Sequence, residues 1–144
     1  MQNRIPMKFT VKSQYFDEKT GEMFDEMTSV AKGCMLIGDG VTRLLYREKT
    51  EEADITTEMS FSEKDKVTLR KSGAARYELV FSEGNTHRFI YYAPPLSFDA
   101  EVTTNKLKNS MCIAGGNITI EYSMDMGGHK QRVTVSTDAE ADGK

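Results

Sequence analysis

At 144 residues, with 38% apolar and 28% charged, the chain has the size of one domain, with a modest core and a well-solvated exterior. Its formal charge of −3 speaks against nucleic acid as a partner, since phosphate binding rests on accumulated Lys and Arg. No apolar run approaches the roughly 20 residues of a membrane helix, and the start carries no secretory-type apolar stretch, so a cytoplasmic protein without membrane contact is expected.

In chain order, Met7, Phe9, Val11, Ser13 and Tyr15 alternate as one face of a first strand, and 17–21 reads as a turn ending on Gly21. The segment Glu22 to Lys32 is ambiguous. Met23, Phe24, Met27, Val30 and Ala31 sit at helical spacing between Gly21 and Gly33, whereas Thr28, Ser29 and Val30 favour a strand. Periodicity alone leans to a helix. Cys34 to Ile37 is short and apolar, and Gly38-Asp-Gly40 signals a hairpin into Val41 to Arg47. Thr50 to Ala53 reads as a loop or frayed edge.

Asp54 to Ser62 alternates again, Glu63 to Lys66 turns the chain, and Val67 to Ser72 returns it. After the Gly73-Ala74 bend, Arg76 to Phe81 puts Tyr77, Leu79 and Phe81 on one face. A loop at 82–86 leads into His87 to Ala93, which Pro94-Pro95 must end or leave at an edge, since proline donates no N–H. Ser97 to Leu107 is extended. Ile118 to Met126 is the clearest strand: Ile118, Ile120, Tyr122, Met124 and Met126 oppose Thr119, Glu121, Ser123 and Asp125. Gln131 to Thr137 closes the series, and 138–144 reads as a disordered tail behind a single domain at 1–137.

The pattern therefore predicts an all-β protein of about eight to ten strands, an antiparallel meander closed on itself so that no edge is left exposed. Its two cysteines, Cys34 and Cys112, have no metal spacing and read as reduced, buried thiols, with an exported protein holding one disulfide as the alternative. His87 and His129 each lie beside a turn and lack the local spacing of a metal site, so no metal or cofactor is expected. No nucleophile–base pair or acid–base carboxylate pair is apparent, and no catalytic residue is assigned. Arg70, Lys71 and Arg76 could form a local basic patch, but three charges are weak support for nucleic acid.

The strongest ligand-related signal is the barrel interior, which at this size is either plugged by side chains or able to hold one small molecule. Tyr77, Tyr91 and Tyr122 lie on the apolar sides of their strands, each with a phenol needing a partner when buried. Lys71 shares the face of Val67 and Leu69, where a cation is costly unless paired or near the mouth, which is also where an anionic ligand head group could bind. These four form the candidate ligand site, with rim-anchored core tyrosines and a snorkelling lysine as the structural alternative.

Several short motifs fall in a consistent order: Arg70-Lys-Ser-Gly-Ala74, Phe81 before a Gly84 turn, Tyr91, Thr103-Thr104 with Leu107, and Gly116 to Met126. The series resembles the YwiB-like bacterial family of unknown function, which implies a small calycin-type, lipocalin-like barrel over roughly residues 7–137. The resemblance also implies that Glu22 to Lys32 is a strand, and on that point it is preferred to the periodicity. Two departures stand out. The family usually has Arg directly before its Ser-Gly, where this chain has Lys71, and a Phe-Gly turn where it has Pro94-Pro-Leu-Ser97. A family without an assigned activity implies none here. The functional expectation is non-catalytic binding of a small, partly apolar ligand inside the barrel. The alternative is a filled barrel that meets a protein partner through an outer face or edge.

Overall fold

Side chains alternating with a period of two build a sheet, and here they build little else. The computed structural model describes residues 3–49 and 54–142, which form ten strands and no helix. These are β1 (Asn3–Asp17), β2 (Met23–Gly38), β3 (Val41–Lys49), β4 (Asp54–Phe61), β5 (Val67–Ser72), β6 (Tyr77–Phe81), β7 (Thr86–Ala93), β8 (Leu96–Asn109), β9 (Gly115–Met126) and β10 (His129–Ala141). All join one antiparallel sheet in the order β6-β5-β4-β3-β2-β1-β10-β9-β8-β7, so all chain neighbours but β6 and β7 share a ladder, and β10 returns beside β1.

The sheet curls until its two end strands meet. Arg76 and Tyr92 exchange both backbone hydrogen bonds, at 2.7 and 3.0 Å, and are the single bridge of the seam among the described residues. Beyond the far end of β6 the β6–β7 loop folds onto β8 instead, with Gly84 N–H donating to the Thr104 carbonyl at 2.9 Å. The result is a nearly closed barrel. Because it is a meander, the C-terminal ends of β1, β3, β5, β7 and β9 share one end, called the mouth here.

Phe9, Leu44, Met59, Leu79, Phe81, Ile118, Ile120 and Val133 fill the interior and are sealed from water. Each such side chain contributes about 1.5–3 kcal/mol by leaving solvent. At Gly33 the wall leaves no room: a Cβ would lie 1.9 Å from the Leu45 carbonyl oxygen and 3.0 Å from the Phe9 ring.

The segment 22–32, helical by spacing, is strand from Met23 onward, as the family resemblance implied. A helical stripe is stable only when its apolar face is buried. Here Met23, Phe24, Met27 and Val30 are 50–62% exposed, while β1 supplies a continuous backbone ladder from Phe16↔Met23 to Asn3↔Ile37. The register slips once, at Tyr15/Phe16, leaving Phe24 unpaired in a bulge.

Other expectations also change. The segment 138–141, expected as a disordered tail, continues β10, with Lys8↔Glu140 and Met7↔Ala141 in register. Cys34 is buried as expected, but Cys112 is exposed, and both are free. Arg70 and Lys71 do not form a patch. Arg70 points outward to Glu78 at 2.7 Å, and Lys71, one residue on, points inward. The loop or frayed edge expected at 50–53 lies outside the described residues.

Candidate binding site at the barrel mouth

Strand β5 puts Val67 and Leu69 into the interior, and the same parity carries Lys71 in at the mouth. Its cross-strand partner is Tyr77. The Tyr77 ring stacks on Tyr91 across the seam, with centroids 5.1 Å apart and planes inclined by 27°. Tyr122 enters from β9 against Phe81 at 4.9 Å. Lys71, Tyr77 and Tyr122 thus line one cavity, while Tyr91 stands behind Tyr77.

Three further polar groups stand in the wall or beside it. Tyr15 and Tyr46 complete the wall, and Glu48 approaches Lys71, Oε1 to Nζ, at 4.0 Å. Ser29 Oγ donates to the other Glu48 oxygen at 2.6 Å, which fixes the carboxylate. Sequence reading placed Tyr15 on the right face but assigned neither Tyr46 nor Glu48 to the site. Adjacent leucines at 44 and 45 obscure the alternation of β3 that would have carried Leu44, Tyr46 and Glu48 inward together.

The cavity lined by Lys71 and the four tyrosines Tyr15, Tyr46, Tyr77 and Tyr122 measures about 60 Å³. It is a head-group-sized space. Larger concavities, such as one of about 450 Å³ beside Arg88, Asp99 and Asp125, are open troughs between charged side chains of the outer wall. The Lys71 and Glu48 side chains remain 26% and 22% exposed, so the cavity communicates with solvent at the mouth.

Burial lowers the Lys71 ammonium from its ordinary range, and the Glu48 charge partly restores it. Burial also pushes the Tyr46, Tyr77 and Tyr122 phenols well above the ordinary tyrosine value, and raises Tyr15 against a bond to Ser13. The phenols are therefore neutral, able both to donate and to accept. Deeper in, the Thr57 and Thr137 hydroxyls are sealed from water without a well-formed hydrogen bond among the described residues, and the Tyr46 hydroxyl is the polar group beside both.

Two hairpins extend past this cavity and carry exposed apolar side chains. Met27 lies opposite Ser13 and Phe98 opposite Tyr91, both at inward parity. Phe24, in the bulge, lies 6.3 Å from the Tyr15 ring. Phe24, Met27 and Phe98 are 58, 57 and 42% exposed, an apolar rim flanking a polar throat.

The two histidines are not brought together. His87 begins β7 at the far end, half-buried, and His129 begins β10 at the mouth, exposed. No group of three metal-ligating side chains occurs among the described residues. Nor, among them, is any helix long and apolar enough to cross a membrane.

The sequence matches the family model of a domain of unknown function, DUF1934, over residues 9–135. The chain belongs to this family. The DUF1934 barrel also superposes on the crystal structure of the YwiB protein from Bacillus subtilis with a TM-score of 0.80, covering 96% of this chain and 94% of that one. The two are 20% identical, so the likeness is one of fold. No curated protein matches the sequence.

Proposed function

We propose that this DUF1934 barrel is a non-catalytic, cytoplasmic binding protein that takes the head of a small, partly apolar ligand at its mouth, in the manner of calycin-type barrels. One observation carries the reading. A mainly apolar interior holds a small cavity open to solvent, lined by Lys71 and neutral phenols from separate strands, with Glu48 4.0 Å from the Lys71 ammonium. Packing alone would be better served there by Leu or Phe, since a buried ion pair is weak support for stability. The apolar rim supplies a surface for the rest of the ligand.

A second reading is favoured by a different feature. On β2, the segment 23–32 has no β3 ladder among the described residues, because β3 pairs only with Gly33 to Gly38. Its exposed Met23, Phe24, Met27 and Val30 would suit a protein partner.

Native mass spectrometry of the protein purified gently from its own cytoplasm separates the two. The ligand reading expects a reproducible small adduct that is lost on Lys71→Met or Tyr77→Ala. A bare barrel, or one carrying only another protein, would transfer the assignment to the interaction surface.

A further inference from the structure

The mouth contains its own counter-charge, and this restricts what it can hold. Lys71 is the inward-facing cation of the throat, and Glu48 already stands 4.0 Å from its Nζ, fixed by Ser29 at 2.6 Å. The pair sums to zero. A ligand carboxylate entering the cavity would be drawn to Lys71, which lines it, and repelled by Glu48, which stands 4.0 Å from the Lys71 Nζ. The two terms largely cancel, and the cost of stripping water from the ion remains. Asp25, opposite Tyr15 at the rim, adds a further negative charge against an anion. A ligand amine meets the mirror problem, attracted by Glu48 and repelled by Lys71.

An uncharged head meets neither. It needs only hydrogen bonds, and the cavity is rich in them. Tyr15, Tyr77 and Tyr122 can each donate or accept, and Glu48 uses at most part of the three-donor capacity of Lys71. The free volume of about 60 Å³ suits a hydroxyl or carbonyl with its first carbons. An apolar chain attached to that head would leave along the exposed Phe24, Met27 and Phe98.

We infer that the DUF1934 mouth selects an uncharged, oxygen-bearing head group, an alcohol or carbonyl on an apolar chain, over a carboxylate or an amine. This rests on the ligand reading above and narrows it to a chemical class.

The test is calorimetric titration of the full chain near neutral pH with three probes of equal chain length: 1-octanol, octanoate and octylamine. Octanol should bind at least about tenfold more tightly than either ion, a difference of ~1.4 kcal/mol. Glu48→Gln, which leaves Lys71 uncompensated, should move octanoate to first place. Lys71→Met should instead favour octylamine. Octanoate or octylamine binding first in the unaltered protein would overturn this inference and leave the ligand reading standing. Failure of all three probes to bind would overturn both. An unchanged order in folded Glu48→Gln would remove the charge-compensation basis and sink the inference as well. The rank order in the unaltered protein decides even if a variant fails to fold.

Discussion

Tyr46, Tyr77 and Tyr122 each keep a phenol within the barrel, and burial holds all three above the range of a tyrosine in an unfolded chain. The sign of the linkage follows. Above about pH 10 the unfolded chain gives up phenolic protons that the folded one retains, so the stability these groups contribute is present below that pH and lost as pH rises through it. Absorbance at the phenolate band should accordingly rise in two stages, the second coinciding with loss of the far-ultraviolet sheet signal. Tyr122→Phe should shift that second stage to higher pH. A single stage completed while the sheet is intact would contradict the burial. At this scale much was legible. Tyr77, Tyr91, Tyr122 and Lys71 were readable as inward residues because each shares a parity with unambiguous core neighbours. Glu48 was not, since the Leu44-Leu45 pair conceals the parity of β3 and a carboxylate at inward parity resembles the start of a loop.

Among the elements, β2 is the most informative, because its two halves obey different constraints. From Gly33 onward it lies between β1 and β3, so close to β3 that a single methyl group at Gly33 would strike the Leu45 carbonyl. Gly33→Ala should cost about 3 kcal/mol or more, comparable to a severe core substitution. Chemical denaturation would measure it, and a loss below about 1 kcal/mol would mean the two strands separate easily. Before Gly33 the strand is laddered on one side among the described residues, by β1, and its large apolar residues face water, with only Ala31 buried. That is why its sequence misleads. Alternation reports burial of one face, and a segment whose large apolar residues serve a rim has little buried face to report. The tail was misread for a related reason: Asp138, Ala139, Glu140 and Ala141 carry little apolar character, yet Ala139 is buried opposite Phe9, where the large ring leaves room for only a small neighbour.

At the scale of the whole molecule, the ladders are unequal. β1 and β10 are registered continuously from Met7↔Ala141 to Asp17↔Gln131, whereas the backbones at the β6–β7 seam are bridged, among the described residues, through Arg76 and Tyr92 alone. Opening should begin at the seam. In native-state hydrogen exchange the Arg76 and Tyr92 amides should exchange at least about 100-fold faster than Val133 and Thr134, in the middle of the sheet. Equal protection would show that the barrel opens only as a unit. The number of strands and their hairpin order were readable from the turns, because each Gly- or Asp-bearing break separates two alternating runs. The seam was not, since a bridge between residues sixteen apart leaves no local pattern.

The position of β10 has a further consequence, for the order in which the chain can assemble. Strands β1 to β6 form one run of hairpins and β7 to β9 another, and β10 is the strip that joins them through ladders to β1 and β9. On a ribosome the first strand would emerge with one flank unpaired and wait for the tenth. Until then the nascent chain is two open half-sheets, each with a bare edge that a neighbouring chain or a chaperone could occupy. Closure, and with it the mouth, cannot precede the synthesis of β10.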